Sequence, residues 1–315
     1  MRVLLWHVHG SWTTALVQGD HDYIVPLVDG RGPNGRGRAQ TWEWPDRVVE
    51  RTPEQLADEP FDVVLLQRPH ELEHLCEDWT GRRPGGDVPA IYVEHNAPQG
   101  RIMEMRHPTA DRDDLVVCHV THFNHLFWDC GTTLTRVVEH GIVDPGERYT
   151  GELPRAAAVI NEAPRRGRVT GTDLLDRLGE AAPIDLFGMD ALNVSPPTRG
   201  IDDVPQDRLH DEMARRRVYL HPIRWTSLGL SLIEAMQLGM PVVALATTEA
   251  PDAVPAAAGV VSTRVDTLRD ALAGFVADAD RAAEAGRAAR RAALERYGLE
   301  RFLDDWDALL DEVAA

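Results

Sequence analysis

Residues 218–245 constrain this chain more than any other stretch. Val218, Tyr219 and Leu220 form an apolar run that stops at Pro222, and a second run, Val242 to Leu245, follows Gly239 and Pro241. Between them lies a segment with apolar side chains on nearly every face: Leu228, Leu230, Leu232, Ile233, Ala235, Met236 and Leu238. A helix without a polar stripe belongs in a protein interior. Gly239 suits a helix C-terminus and Pro241 cannot continue one. The pattern therefore predicts strand, loop, buried helix, tight turn, strand. Ser227 is the expected cap of that helix, its hydroxyl accepting a bond from a first-turn amide. One carboxylate, Glu234, rides on the apolar helix. A buried carboxylate needs hydrogen-bonding partners or takes up a proton, and the hydroxyls of a ligand would serve. At the helix start, Gly229 permits close approach of the backbone, and the free first-turn amides favour an anion such as phosphate. Phosphate at the helix tip and hydroxyls two turns along together describe a nucleotide.

The rest of the chain alternates in the same way. Apolar runs at 2–8, 61–66, 90–93 and 115–120 read as strands covered on both faces. A second series follows at 156–160, at 184–187 and in the segment above. Helices are expected over 70–79, over 172–178 with Thr172 as cap, over 205–216, and through an Ala/Arg-rich stretch after Val261 to about 296. A last one over 299–313 puts Phe302, Trp306, Leu309 and Leu310 on one face. Gly, Pro and Arg concentrate at 29–45 and 80–87, which read as loops. Such alternation implies doubly wound parallel sheets, and 315 residues suffice for two domains. Ligands in these sheets sit beyond the carboxyl ends of the strands.

Composition excludes some partners. The chain has 51 acidic and 33 basic residues, a net charge of −18, and nucleic acid is not an expected partner because backbone phosphates need a basic surface. Cys76, Cys118 and Cys130 show no close pair and fit reduced thiols in a cytoplasmic protein. The N-terminus is expected to enter a strand rather than a signal peptide. No apolar run reaches transmembrane length; peripheral membrane contact stays open, although no basic amphipathic stretch argues for it. A Gly-x-Ser-x-Gly elbow and a motif pairing two carboxylates are both absent. The thirteen histidines show no metal-ligand spacing, so no metal is expected.

The segment from Thr226 to Ala244 resembles the donor-binding motif of retaining glycosyltransferases with the GT-B fold, of the family 4 type. Their pattern runs Glu-x-Phe-Gly-Leu-x-x-x-Glu-Ala, an apolar residue, two variable ones, then Gly-x-Pro-Val-[Val/Ile]-Ala. Gly229, Leu230, Glu234, Ala235, Met236, Gly239, Pro241, Val242, Val243 and Ala244 match it. Thr226 stands where that family has its first Glu, and Leu228 fills its aromatic position.

The resemblance implies two facing doubly wound, Rossmann-like α/β domains with a cleft between them: an acceptor-binding domain over 1–150, a nucleotide-sugar domain over 151–297, and a helix over 298–315 crossing back to the first. It implies transfer of a sugar from a nucleotide-diphosphate donor to an acceptor hydroxyl, with retention, and with neither cofactor nor metal. Ser227, Leu228, Gly229 and Glu234 would bind the donor, and Thr226 would take the place of the sugar-contacting Glu. The family's diphosphate-binding cations follow the first strand of the C-terminal domain. Here Arg165, Arg166 and Arg168 stand there, with Arg166 and Arg168 preferred, and Gly171 and Asp173 keep the family's spacing. His95, directly after a strand, takes the position of a histidine that contacts the donor sugar. Gly10 and Ser11 take that of a Gly-rich loop under the donor phosphates, and His122 and His125 would line the same cleft. His221-Pro222 would shape the turn before the donor loop. Two alternatives accompany this reading: a nucleotide-sugar epimerase or hydrolase on the same fold, and a non-catalytic relative that binds a nucleotide or carbohydrate, which Thr226 keeps open.

Overall fold

The computed structural model describes residues 1–202 and 204–315, with only the backbone of Asp207. The chain divides into two units, Met1–Val143 with Leu299–Ala315, and Asp144–Gly298.

Unit 1 is built on seven parallel strands: β1 (Arg2–Leu5), β2 (Asp22–Pro26), β3 (Val48–Arg51), β4 (Val63–Leu66), β5 (Ala90–Glu94), β6 (Val116–His119) and β7 (Leu134–Val137). Their order in the sheet is β3-β2-β1-β4-β5-β6-β7. Val3 pairs with Tyr23 on one side and with Val63 on the other. Every residue of β4, β5 and β6 is buried, as the uninterrupted apolar runs require of strands covered on both faces. The Leu299–Ala314 helix lays its apolar stripe on this unit. Phe302 and Trp306 are buried, with ring centres 6.4 and 5.6 Å from that of Trp12. On its polar side Asp307 meets His21 at 3.0 Å.

Unit 2 carries six parallel strands: β8 (Leu153–Val159), β9 (Ile184–Gly188), β10 (Arg199–Asp202), β11 (Arg216–His221), β12 (Val242–Leu245) and β13 (Gly259–Ser262). Their order is β10-β9-β8-β11-β12-β13. The predicted buried helix spans Leu230–Leu238 and is buried from Leu232 onward, ending at Gly239 in the left-handed region at φ 92°. In both sheets the chain starts at a central strand, builds to one side and returns to build to the other. The turning points lie between β1 and β4 and between β8 and β11, and crevices for ligands open at such points.

Four local expectations are corrected. Ser227 does not cap the Leu230–Leu238 helix; the cap position is Gly229, with no side-chain bond, because Leu232 N already bonds to Gly229 O at 2.9 Å. Thr172 opens a 3₁₀ turn rather than capping a helix. Its hydroxyl donates to Ala163 O at 2.8 Å, and the α-helix starts later, at Leu175. The Ala/Arg-rich stretch is two helices, Val265–Ala277 and Ala279–Tyr297, because Asp278 turns extended and caps the second through Arg281 N. Finally, the unit boundary falls after Val143 rather than 150. Arg148 N and Tyr149 N donate to Leu238 O, and Thr150 N to Ala214 O, so this segment satisfies its amides on unit 2.

Candidate functional site

In unit 2 the loops that follow β8 and β11 are clasped together. Val169 O accepts from Arg224 N at 2.9 Å and from Trp225 N at 3.1 Å. The Arg224 guanidinium donates to Arg168 O at 2.9 Å and to Asp173 Oδ2 at 3.0 Å. Gly171 adopts φ +74°, and a Cβ there would lie 1.9 Å from the Pro222 carbonyl oxygen. Only glycine lets the two loops close this far.

The clasp separates the three arginines that sequence alone left together. Arg165 lies one helical turn after Glu162 and pairs with it, Nε to Oε1 at 2.9 Å. Arg168 is exposed and meets Asp173 at 3.1 Å. Arg166 is half-buried and pairs with no carboxylate among the described residues. Burial first, and the neighbouring Arg165 second, lower its pKa. A cation held this way gains from an incoming anion.

Across the clasp stands the tip of the Leu230–Leu238 helix. A Cβ on Gly229 would sit 2.9 Å from Cε1 of His221, so the close approach foreseen at this glycine is to an imidazole at the end of β11. His221 is buried, its Nδ1 has no partner, and burial pushes its pKa down to about 4, which keeps it neutral. Thr226 Oγ1 is also buried without a partner, while Ser227 and Leu228 are buried beside it. Glu234 is 5 % exposed. One of its protein partners is His210 Nε2 at 3.5 Å, which the sequence reading missed. His210 comes from the Gln206–Arg215 helix and has no motif to announce it. The crevice thus offers a free guanidinium, a helix tip with open amides, and a buried carboxylate farther along the same helix, a set suited to a diphosphate and a diol.

In unit 1 the corresponding corner gathers aromatic rings and neutral imidazoles. β1 continues through Trp6-His7-Val8-His9 into Gly10 and Ser11, which open a short helix. The His9 ring lies 4.1 Å from that of His95, Trp12 meets His95 edge-on at 4.8 Å, and His140 stacks at 6.3 Å. His95 Nε2 is sealed from solvent without a partner, although the residue keeps partial exposure. Burial, then His9 and His140, hold its pKa well below the ordinary imidazole value. It is therefore neutral, with one N–H donor and one acceptor nitrogen. His122 is exposed, and His125 bonds Thr135 Oγ1 at 3.1 Å on the edge strand β7.

Gly10, Ser11 and His95 thus gather in unit 1, and Arg166, Arg168, Thr226, Ser227, Leu228, Gly229 and Glu234 in unit 2. His9 was overlooked, although its place directly before Gly10 at a strand end was visible in the sequence. Among the described residues no three His, Cys, Asp or Glu side chains gather as a metal-binding set, and no helix is long and apolar enough to cross a membrane.

Residues 189–292 match the family model for glycosyl transferases group 1. Among curated proteins none matches the sequence. Three solved structures illustrate the likeness in fold. Sucrose-phosphate synthase from Thermosynechococcus elongatus aligns with a TM-score of 0.72 at 13% identity, over 99% of this chain and 98% of that one. HepE of Anabaena, solved with UDP-glucose, aligns at 0.66 and 14% identity, over 99% and 100%. TarM of S. aureus, solved with UDP, aligns at 0.62 and 14%, over 79% and 55%.

Proposed function

From the family match over residues 189–292 and the likeness in fold to GT-B enzymes, we propose that this chain is a glycosyltransferase that moves a sugar from a nucleoside-diphosphate donor to an acceptor hydroxyl, with retention and without a bound metal. The observation that carries the reading is the unit 2 crevice, where Arg166 stands unpaired in a loop clasped to the one that leads into the helix bearing Glu234. The diphosphate takes Arg166 and the amides of the helix tip at Gly229, with Arg168 adding charge at the rim. The ribose hydroxyls donate to Glu234 next to His210. The sugar lies along Thr226, Ser227 and Leu228. In unit 1, Gly10, Ser11 and His95 are substrate contacts.

Transfer breaks the bond from the anomeric carbon to the diphosphate oxygen and forms one to the acceptor oxygen. The acceptor's proton passes to the departing diphosphate. The protein then supplies position and positive charge rather than a carboxylate base, and a guanidinium with a helix tip neutralises the leaving group in place of a metal.

Thermal shift with UDP, GDP, ADP and dTDP selects the nucleotide, since a ligand of the folded state raises its melting temperature. UDP leads the series because HepE and TarM were solved with it. The matching donor, candidate acceptors and EDTA are then combined, and proton NMR reads the product's anomeric configuration. The expected product keeps the donor's configuration. An inverted product, or turnover lost in EDTA and restored by magnesium or manganese, overturns the reading. Conversion of the donor without any acceptor marks an epimerase or hydrolase instead.

A further inference from the structure

At the crevice of unit 1, between the ends of β1 and β4, several polar groups are built in and left without partners. Gln67 Nε2 donates to Trp6 O at 2.7 Å, which ties the end of β4 to that of β1, while Gln67 Oε1 is buried and unpartnered. The next residue, Arg68, gives Nε to the fully buried Glu71 at 2.6 Å, and its Nη2 is buried with no partner. On the other flank His7 Nδ1 meets Gly37 O at 3.0 Å, which brings the adjacent Arg36 to the end of β1. Arg36 is exposed and pairs with no carboxylate among the described residues. The indole nitrogen of Trp42 lies 3.9 Å from where a Cβ on Gly10 would stand, and so walls the corner.

The corner's positive charge comes from the two arginines and not from its histidines. His9 is held neutral, its pKa pushed to about 4 by burial first and by Arg36 and Arg68 after it. Buried polar atoms without partners are few in native proteins and call for an explanation. Here three of them, Arg68 Nη2, Gln67 Oε1 and His95 Nε2, belong to the ends of β4 and β5, and two cations lean on His9. In a chain of net charge −18, such a local cationic corner concentrates small anions.

We infer that this corner is an oxyanion subsite for the acceptor, which therefore carries a phosphate or carboxylate group besides the hydroxyl that is glycosylated. The anion lies between Arg68 Nη2 and Arg36, with Gln67 Oε1 accepting from a neighbouring hydroxyl and Trp42 covering the apolar face. This rests on the proposed transfer reaction for its meaning, but not for its detection.

The test uses the full chain saturated with the nucleoside diphosphate chosen by thermal shift, so that the unit 2 anion site is filled. Inorganic phosphate is titrated by calorimetry into the wild type, Arg36→Met and Arg68→Met. Each substitution is expected to weaken phosphate binding roughly tenfold or more, as for a lost charge-assisted contact, while nucleotide affinity stays unchanged. Arg68→Met leaves the buried Glu71 unpaired and its folding is checked by circular dichroism. Arg36→Met lies on an exposed loop and keeps the test valid if the other variant fails to fold. Phosphate affinity indifferent to Arg36→Met overturns the subsite. A second arm compares a hexose, its 6-phosphate and its uronic acid as acceptors. The charged acceptors should show the higher kcat/KM, the better of them identifying the anion, and Arg36→Met should erase the preference. Equal turnover of all three overturns the assignment to the acceptor. If phosphate binds through both arginines and no acceptor reacts, the transfer reading fails while the anion site stands.

Discussion

The two units follow one backbone plan and fill it with different chemistry. Unit 1 runs β3-β2-β1-β4-β5-β6-β7, and subtracting seven from each strand number of unit 2 gives 3-2-1-4-5-6. Both therefore turn back at the same place and open a crevice at the same strand ends. Unit 1 lines its crevice with neutral imidazoles and an indole, His9, His95, His140 and Trp12, drawn tightly together and flanked by Arg36 and Arg68. Unit 2 lines its own with a guanidinium, a helix tip and a buried carboxylate. The plan fixes where a ligand can sit, and the side chains fix what kind.

Acid should break the symmetry most. His7, His9, His95, His119 and His140 of unit 1 all have lowered pKa values, with His119 and His140 pushed to about 3, and burial is the first cause in each. Unit 2 has one such group, His221. Unfolded imidazoles titrate near 6.5, so below that pH the unfolded chain binds more protons than the folded one. The stability these groups lend is complete above pH 6.5 and drains as the pH falls towards 4. The lowered carboxylates, such as Asp173 and Glu212, lose theirs only below their ordinary values, so the upper part of the window belongs chiefly to the histidines. Unit 1 should lose far more stability than unit 2 over this window, since five of its imidazoles are shifted against one. Tryptophan fluorescence reads it, because Trp225 is the one tryptophan of unit 2. A fluorescence transition that appears only below pH 4 would erase the contrast.

The donor side of the comparison sharpens through Glu234→Gln. Nucleoside-diphosphate affinity should fall by about 1.5–3 kcal/mol, the range for hydrogen bonds to a charged group. Calorimetry that finds the wild-type affinity in a folded variant removes Glu234 from the site. A smaller difference should separate Arg166→Ala from Arg165→Ala. The first should cost about 1.5 kcal/mol in nucleotide-diphosphate binding, and the second should leave that affinity nearly unchanged, since it releases only an exposed pair. Equal losses would mean that the loop supports structure only.

What could be read from sequence follows burial. β4, β5, β6, β8, β11 and β12 announce themselves as apolar runs because both faces are covered. Of the four edge strands, β3, β7 and β10 read Val-Val-Glu-Arg, Leu-Thr-Arg-Val and Arg-Gly-Ile-Asp, each partly solvated, and their signal is lost among loops. The helix carrying Glu234 was legible for the same reason as the central strands, since a lone carboxylate on an apolar helix stands out. Its partner His210 was not, because the contact joins two helices 24 residues apart in register with no shared pattern. Nor could Arg166 be told from Arg165 and Arg168. The difference lies in where Glu162 and Asp173 reach once Pro164 starts a helical turn and Gly171 lets the loops meet.

The chain enters unit 2 after Val143 and returns to unit 1 at Leu299. During synthesis the residues of unit 2 are therefore all made before the last helix of unit 1 exists. A nascent chain can close the six-stranded sheet while Trp12 still lacks Phe302 and Trp306 as neighbours. The unit that is translated first is the one completed last, and its apolar flank stays open to chaperones, or to another nascent chain, until that helix emerges from the ribosome.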